Sequence, residues 1–116
     1  MRHQQKTLVL GRPLKQRQAL VRSLVESLVL HGGITTTKVK AKAARFLVEK
    51  LITKAKRNNP TDRAAISAAL YTGKAVKKLI DEVAPKYTER VGGYTRTTKL
   101  GYRKGDSGEK VRIEFV

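Results

Sequence analysis

The spacing of apolar residues changes once along this chain, at Pro85, from a period near 3.6 to a period of 2. Ahead of that point Leu14, Val21, Leu24, Val25 and Leu28 recur at helical spacing behind Pro13. Proline suits the first turn of a helix, because its missing N–H has no helical partner there. Gly32-Gly33 ends this helix, since glycine accepts the left-handed conformation just past a helix, and His31 falls in the last turn, where a donor or cation favours the carbonyl end. That capping position reads better for His31 than a catalytic one. Ile34-Thr35-Thr36-Thr37 is β-branched and predicts a short strand. Thr37 or Thr36 then caps a second helix over about residues 38–57, with Ala44, Leu47, Val48, Leu51, Ile52 and Ala55 on its apolar face. Asn58-Asn59-Pro60 breaks it. Asn59 caps a third helix, with Pro60 at its start, Asp62 in its first turn and Ile66, Ala69 and Leu70 along it. Thr72-Gly73 punctuates, a fourth helix follows with Val76, Leu79, Ile80 and Val83, and Pro85 stops it.

Beyond Pro85 the Thr- and Tyr-rich stretch from Tyr94 to Tyr102 predicts a strand. Val111, Ile113 and Phe115 alternate with Lys110, Arg112 and Glu114, the mark of a half-buried strand. Gly105-Asp106-Ser107-Gly108 joins the two as a hairpin loop. The predicted class is α+β, in the order helix, strand, three helices, two strands, with the helices packed on one face of a small sheet. At 116 residues there is room for one domain: an extended basic arm at 1–11 and a globular body over 12–116.

Charge narrows the function. Lys and Arg number 26 against 9 Asp and Glu, a formal net charge of +17. At 40% hydrophobic the chain is too apolar for a disordered basic tail. The absence of cysteine excludes disulfide frameworks, thiol catalysis and cysteine-held metals. No apolar run reaches the length of a membrane span, and Leu8-Val9-Leu10 is too short for a signal peptide, so a soluble protein is expected. Arg2, Lys6, Arg12, Lys15, Arg17 and Arg22 all precede the first acid, Glu26. Such a start also fits an organelle transit peptide, but it runs straight into a patterned helix. A charge of this size repels itself unless a polyanion cancels it, and DNA or RNA is the obvious polyanion.

Catalysis is poorly provided for. His3 and His31 have no acid at a suggestive spacing, and Asp81-Glu82 point about 100° apart on a helix and read as a solvated face. Gly92-Gly93 is no dinucleotide fingerprint, and no phosphate-binding loop motif is present. No catalytic, metal or cofactor-binding residue is expected, nor a small-molecule substrate.

The cations fall in three groups. One covers the arm and first helix. The second is the second helix, with Lys38, Lys40, Lys42, Arg45, Lys50, Lys54, Lys56 and Arg57 against Glu49 alone. The third holds Arg90, Arg96, Lys99, Arg103 and Lys104. Lys38 and Lys40 occupy the first turn of a helix, the end that favours acids, at a cost of a few tenths of a kcal/mol each. An external phosphate reverses that sign, because N–H groups, dipole and lysines then all point at one anion. In the stretch from Gly92 to Lys104, glycine permits close approach, arginine takes phosphate or stacks on a base, and Tyr94 and Tyr102 either stack on RNA or fill the core. The expected RNA-binding set is Arg2, His3, Lys6, Arg12, Lys15, Arg17, Arg22, Lys38, Lys40, Lys42, Tyr94, Arg96, Lys99, Arg103 and Lys104.

Met1-Arg2-His3, Leu10-Gly11-Arg12, Ile34-Thr35-Thr36-Thr37, Lys40-Ala41-Lys42, Leu51-Ile52-Thr53-Lys54-Ala55-Lys56, Gly92-Gly93-Tyr94-Thr95-Arg96 and Gly105-Asp106 occur in an order and at intervals that resemble the L-seventeen family of bacterial large-subunit ribosomal proteins. The resemblance covers nearly the whole chain. It implies a structural constituent of the ribosome, in the cytoplasm or in an organelle, that binds large-subunit ribosomal RNA near the exit of the peptide tunnel and supports translation. It implies a three-stranded mixed sheet in the order 1-3-2, an arm that runs along RNA, a neighbouring large-subunit protein as partner and no catalytic role. The family usually has Lys, Gly and Arg where this chain has Gln5, Thr7 and Leu8, and His in place of Gln16, so two bases are missing from the arm. Gly108-Glu109-Lys110 also replaces the small apolar residues usual in the hairpin. The rival readings are a DNA-compacting or regulatory protein, which shows no helix-turn-helix pair, and an RNA-acting enzyme, which lacks an acid–base pair.

Overall fold

The computed structural model describes residues 14–105 and 108–116. The arm, with Arg2, His3 and Lys6, lies outside the described residues, as do Arg12 and Pro13 at the start of the body and Asp106 and Ser107 of the hairpin loop.

The first helix, α1, spans Leu14–His31 and buries Val25, Leu28 and Val29. Leu14, predicted on the core stripe, is instead 57% exposed. Gly32, at φ +81°, closes the helix by donating its N–H to the Leu28 carbonyl at 2.8 Å. A side chain would resist that left-handed backbone. The chain then enters β1 (Gly33–Thr37) and α2 (Lys38–Arg57). Thr37 caps α2, its hydroxyl accepting from the Lys40 N–H at 3.4 Å. This helix is the centre of the body: it packs against α1, the third helix and all three strands. Its buried face is the predicted one, with Ala44, Val48, Leu51, Ile52 and Ala55 in the core.

The third helix, α3, spans Pro60–Ala69. Asn59 caps it through the Asp62 N–H at 2.9 Å. Asp62 is only 6% exposed, and Arg57 grips both its oxygens at 3.1 and 3.0 Å. This two-pronged bond from the Arg57 guanidinium holds the Asp62 carboxyl below its ordinary range. It also fixes the corner between α2 and α3.

The fourth helix differs from expectation. Thr72 caps α4 (Gly73–Lys78), but the helical path does not stop at Pro85. It widens into a π turn over Leu79–Val83 and tightens into a 3-10 turn over Ala84–Tyr87. Pro85 occupies the start of that new turn, where its missing N–H breaks no bond. The change of winding brings Leu79, Val83, Ala84 and Tyr87 into the core.

The strands β2 (Thr95–Tyr102) and β3 (Glu109–Phe115) complete a sheet in the order β1-β3-β2. The order is the one the resemblance implies. The sheet is not mixed, however, because both pairings are antiparallel. A hairpin forces β3 antiparallel to β2, and β1 then pairs with the free side of β3 in the same sense as β2 does. Parallel neighbours never arise, since β1 and β2 do not touch. Along β3, Val111 and Ile113 face the helices, while Lys110, Arg112 and Glu114 lie on the opposite face. A bulge at Leu100 interrupts the β2 register, relieved by Gly101 at φ +110°.

Candidate nucleic-acid interface

The sheet register places the charges. Thr37, Lys110 and Gly101 lie in one row across the three strands. Lys38 follows Thr37, and Tyr102 follows Gly101, so the start of α2 and the β2–β3 hairpin share one end of the sheet. Two groups that are remote in sequence therefore meet. At the junction Lys38 Nζ stands 3.9 Å from Glu109 Oε2, and Lys99 Nζ stands 3.8 Å from Glu109 Oε1. Both lysines are largely exposed. Lys40, Lys42, Tyr102, Arg103, Lys104 and Lys110 extend the same end through their places in chain and register. The Arg103 guanidinium lies over Gly108, where a β-carbon would come within 2.7 Å of it. Tyr102 is 72% exposed.

Arg96 belongs elsewhere. It lies in the row of Gly33 and Glu114, roughly 16 Å along the strand from Gly101 at the usual rise per residue. Its Nε donates to Glu114 Oε1 at 3.1 Å, and that bond, with Arg112 nearby, holds the Glu114 carboxyl below its ordinary range. Arg112 and Lys110, which the sequence reading did not select, stand on this same open face. The strict alternation of β3 was the signal that could have found them.

Tyr94 requires a correction. It is 1% exposed, with its ring centroid 5.2 Å from that of Tyr87. Its hydroxyl accepts from Lys56 Nζ at 3.1 Å and faces the carbonyls of Arg90 and Val91 at 3.3 and 3.2 Å. Burial pushes its phenol up, but hydrogen bonds from Thr53 and Lys56 outweigh that and leave it below its ordinary value. A ring so enclosed has no face to offer a base. Of the two tyrosines, one fills the core and the other stands free for contact.

The cations of α2 divide by end. Lys54 and Arg57 flank Asp62, and Lys56 donates to the Arg90 carbonyl and to Tyr94. These sit at the carbonyl end, where positive charge supports the helix itself. Those at the amino end have no such local reason. On α1, Arg22 is half-buried: its Nε donates to the Ala69 carbonyl at 2.9 Å and its guanidinium lies 4.3 Å over the Tyr71 ring. Arg17 lines a groove with Lys50, beside the middle of α2 and away from the Lys38–Glu109 junction. Lys15 is exposed on the first turn of α1. The structure thus joins the helix-start and hairpin groups and leaves the α1 group and Arg96 apart.

Among the described residues no cluster of His, Asp or Glu could hold a metal ion, and no helix is long and apolar enough to cross a membrane. His31 is exposed at the end of α1, and Asp81 and Glu82 are both exposed.

Comparison with known proteins supplies the family. The family model described as ribosomal protein L17 matches residues 20–116. The large ribosomal subunit protein bL17 of Clostridium acetobutylicum is 51% identical over 107 residues, covering 92% of this chain and 94% of that one. Its counterparts in Clostridium perfringens and Clostridium botulinum are 50% and 47% identical over 92% of this chain and 95% of each. The α+β body with its cationic end is therefore that of a ribosomal protein of the large subunit. Within that class, the chain belongs to the ribosomal protein L17 family.

Proposed function

We propose that this chain is a structural constituent of the large subunit in the cytoplasmic ribosome, that it binds large-subunit ribosomal RNA through phosphates, and that it has no catalytic role. One observation carries the reading: Lys38, Lys40 and Lys42 share a sheet end with Lys99, Arg103, Lys104 and Lys110, against Glu109 as the acid between them. Lys38 and Lys40 lie in the first turn of α2, the end that favours acids, so the helix dipole gives no reason for them. A phosphate backbone laid across this end meets the positive pole of α2 and the hairpin lysines together. A-form RNA hides its major-groove base edges, so contacts to phosphate and 2′-hydroxyl dominate. Tyr102 can add a stacking contact at the hairpin. The arm, with Arg2, His3 and Lys6, and Arg12 just after it extend the grip along RNA, and a neighbouring large-subunit protein shares the site near the peptide tunnel exit.

Salt titration tests the mechanism. If about eight phosphates are neutralised, the log–log slope of affinity against salt is roughly −6 to −7. A slope near zero with a ribosomal RNA fragment rejects the phosphate clamp. Duplex DNA that competes equally at physiological salt makes the chain a general polyanion binder instead.

A further inference from the structure

A second surface stands apart from the sheet end. The amino-terminal half of α1, the middle of α2 and the end of α3 enclose a groove of about 660 Å³. Its floor is apolar, formed mainly by Leu14, Val21, Phe46 and Leu47. Phe46 is 54% exposed, and nothing in the core needs its ring. Its rim carries Arg17, Arg22 and Lys50 beside the neutral Gln18, and no carboxylate lines it among the described residues. Arg17 and Lys50 make no ion pair among the described residues. Arg22 is already held in place by the Ala69 carbonyl and the Tyr71 ring, so its charge is oriented before any partner arrives.

An apolar floor calls for an apolar body, and a rim of three cations calls for anions. An unpaired nucleotide carries both in fixed proportion: a flat base and a phosphate on either side. A protein segment would need carboxylates placed beside its apolar residues to match the same rim. The volume suits a ligand of nucleotide size. We propose that this groove receives an unpaired nucleotide of RNA, its base stacked on Phe46 and its flanking phosphates on Arg17 and Lys50. The inference rests on the RNA-binding reading above and adds to it a single-stranded site. Phe46 is eight residues along α2 from Lys38, roughly 12 Å by helical rise, so one RNA can engage the helix start with its backbone and the groove with a displaced base.

The chain has no tryptophan, so Phe46→Trp in the full-length protein provides a single fluorescent reporter at the stacking position. It is titrated with an oligoadenylate hexamer and, separately, with a blunt RNA duplex of equal phosphate number. Both are expected to bind, but only the oligoadenylate quenches the indole. Phe46→Leu keeps the groove apolar while removing the ring. It is expected to weaken oligoadenylate binding roughly tenfold and duplex binding hardly at all. An unchanged unfolding midpoint shows that the variant folds. The proposal is overturned if oligoadenylate binds without quenching, or if Phe46→Leu weakens both RNAs alike. It is equally overturned if an acidic apolar peptide perturbs the indole where RNA does not, which would assign the groove to a protein. Failure of the wild-type chain to bind either RNA sinks the RNA reading itself and this site with it, a result distinct from loss of the groove alone.

Discussion

The Lys38 ammonium stands 3.9 Å from the Glu109 carboxylate, joining the first residue of α2 to the first residue of β3. Lys99 approaches the same carboxylate from β2 at 3.8 Å. Exposed pairs of this kind contribute about 1 kcal/mol at most, so both lysines can exchange Glu109 for phosphate at little cost. Glu109→Gln is therefore expected to leave the unfolding free energy within about 1 kcal/mol of wild type while tightening RNA binding. Weaker binding in the variant, measured by filter retention at fixed salt, would mean that the lysines need Glu109 to hold their positions.

Lys40 offers the cleaner reversal of sign, because no acid pairs with it among the described residues. Lys40→Glu puts an acid at the positive pole of α2 and is expected to stabilise the fold by about 0.3–1 kcal/mol. The same change is expected to weaken RNA binding and to make the salt slope shallower by about one phosphate contact or more. Thermal melts and salt titrations of one preparation check both. If stability and affinity shift in the same direction, the lysine serves the helix and not a ligand.

Asp62 makes the fold sensitive to acid. Its carboxyl is held low chiefly by the hydrogen bonds from Arg57. A carboxyl lowered in the folded state lends stability that is fully present above its unfolded value near 4 and is lost as pH falls through the lower folded value. Asp62→Asn is expected to be less stable than wild type at neutral pH, with the gap closing as the medium is acidified below about pH 4. A gap that stays constant from pH 7 to pH 2, followed by denaturant titration, would assign the loss to the Asn59 cap or to packing.

The two tyrosines of the Gly-Tyr-Thr-Arg region are expected to fail in opposite ways. Tyr94→Ala empties a core site and costs about 3–5 kcal/mol. Tyr102→Ala changes stability by no more than about 0.5 kcal/mol and weakens RNA binding severalfold. Urea unfolding and RNA titration of the two variants separate the roles. A Tyr102→Ala protein with unaltered RNA affinity would remove the hairpin aromatic from the interface.

Local chemistry accounts for much of this fold without any tertiary contact. The Thr37 and Asn59 caps, the glycine stop at Gly32 and the buried stripe of α2 can all be read within one or two helical turns, because each rests on a bond or spacing inside that span. So can the alternation of Val111 and Ile113 with Arg112 and Glu114. The excess of cations, and their odd position at the amino end of α2, is likewise a property of the string. What the string could not say is which of those cations meet. The Thr37–Lys110–Gly101 row exists only after a hairpin and a pairing across more than seventy residues, and that row brings Lys38 to Lys99 while carrying Arg96 to the far end. Tyr94 and Tyr102 have the same chemistry and similar neighbours, yet β2 leaves the helical layer between them, so one is enclosed and the other is not. The passage through Pro85 was decided by packing too: a wider π turn lets Leu79 and Val83 reach the core, and that gain outweighs the local preference to stop. Periodicity and capping act over a few residues, whereas the meeting of charges depends on sheet register, which only the folded chain supplies.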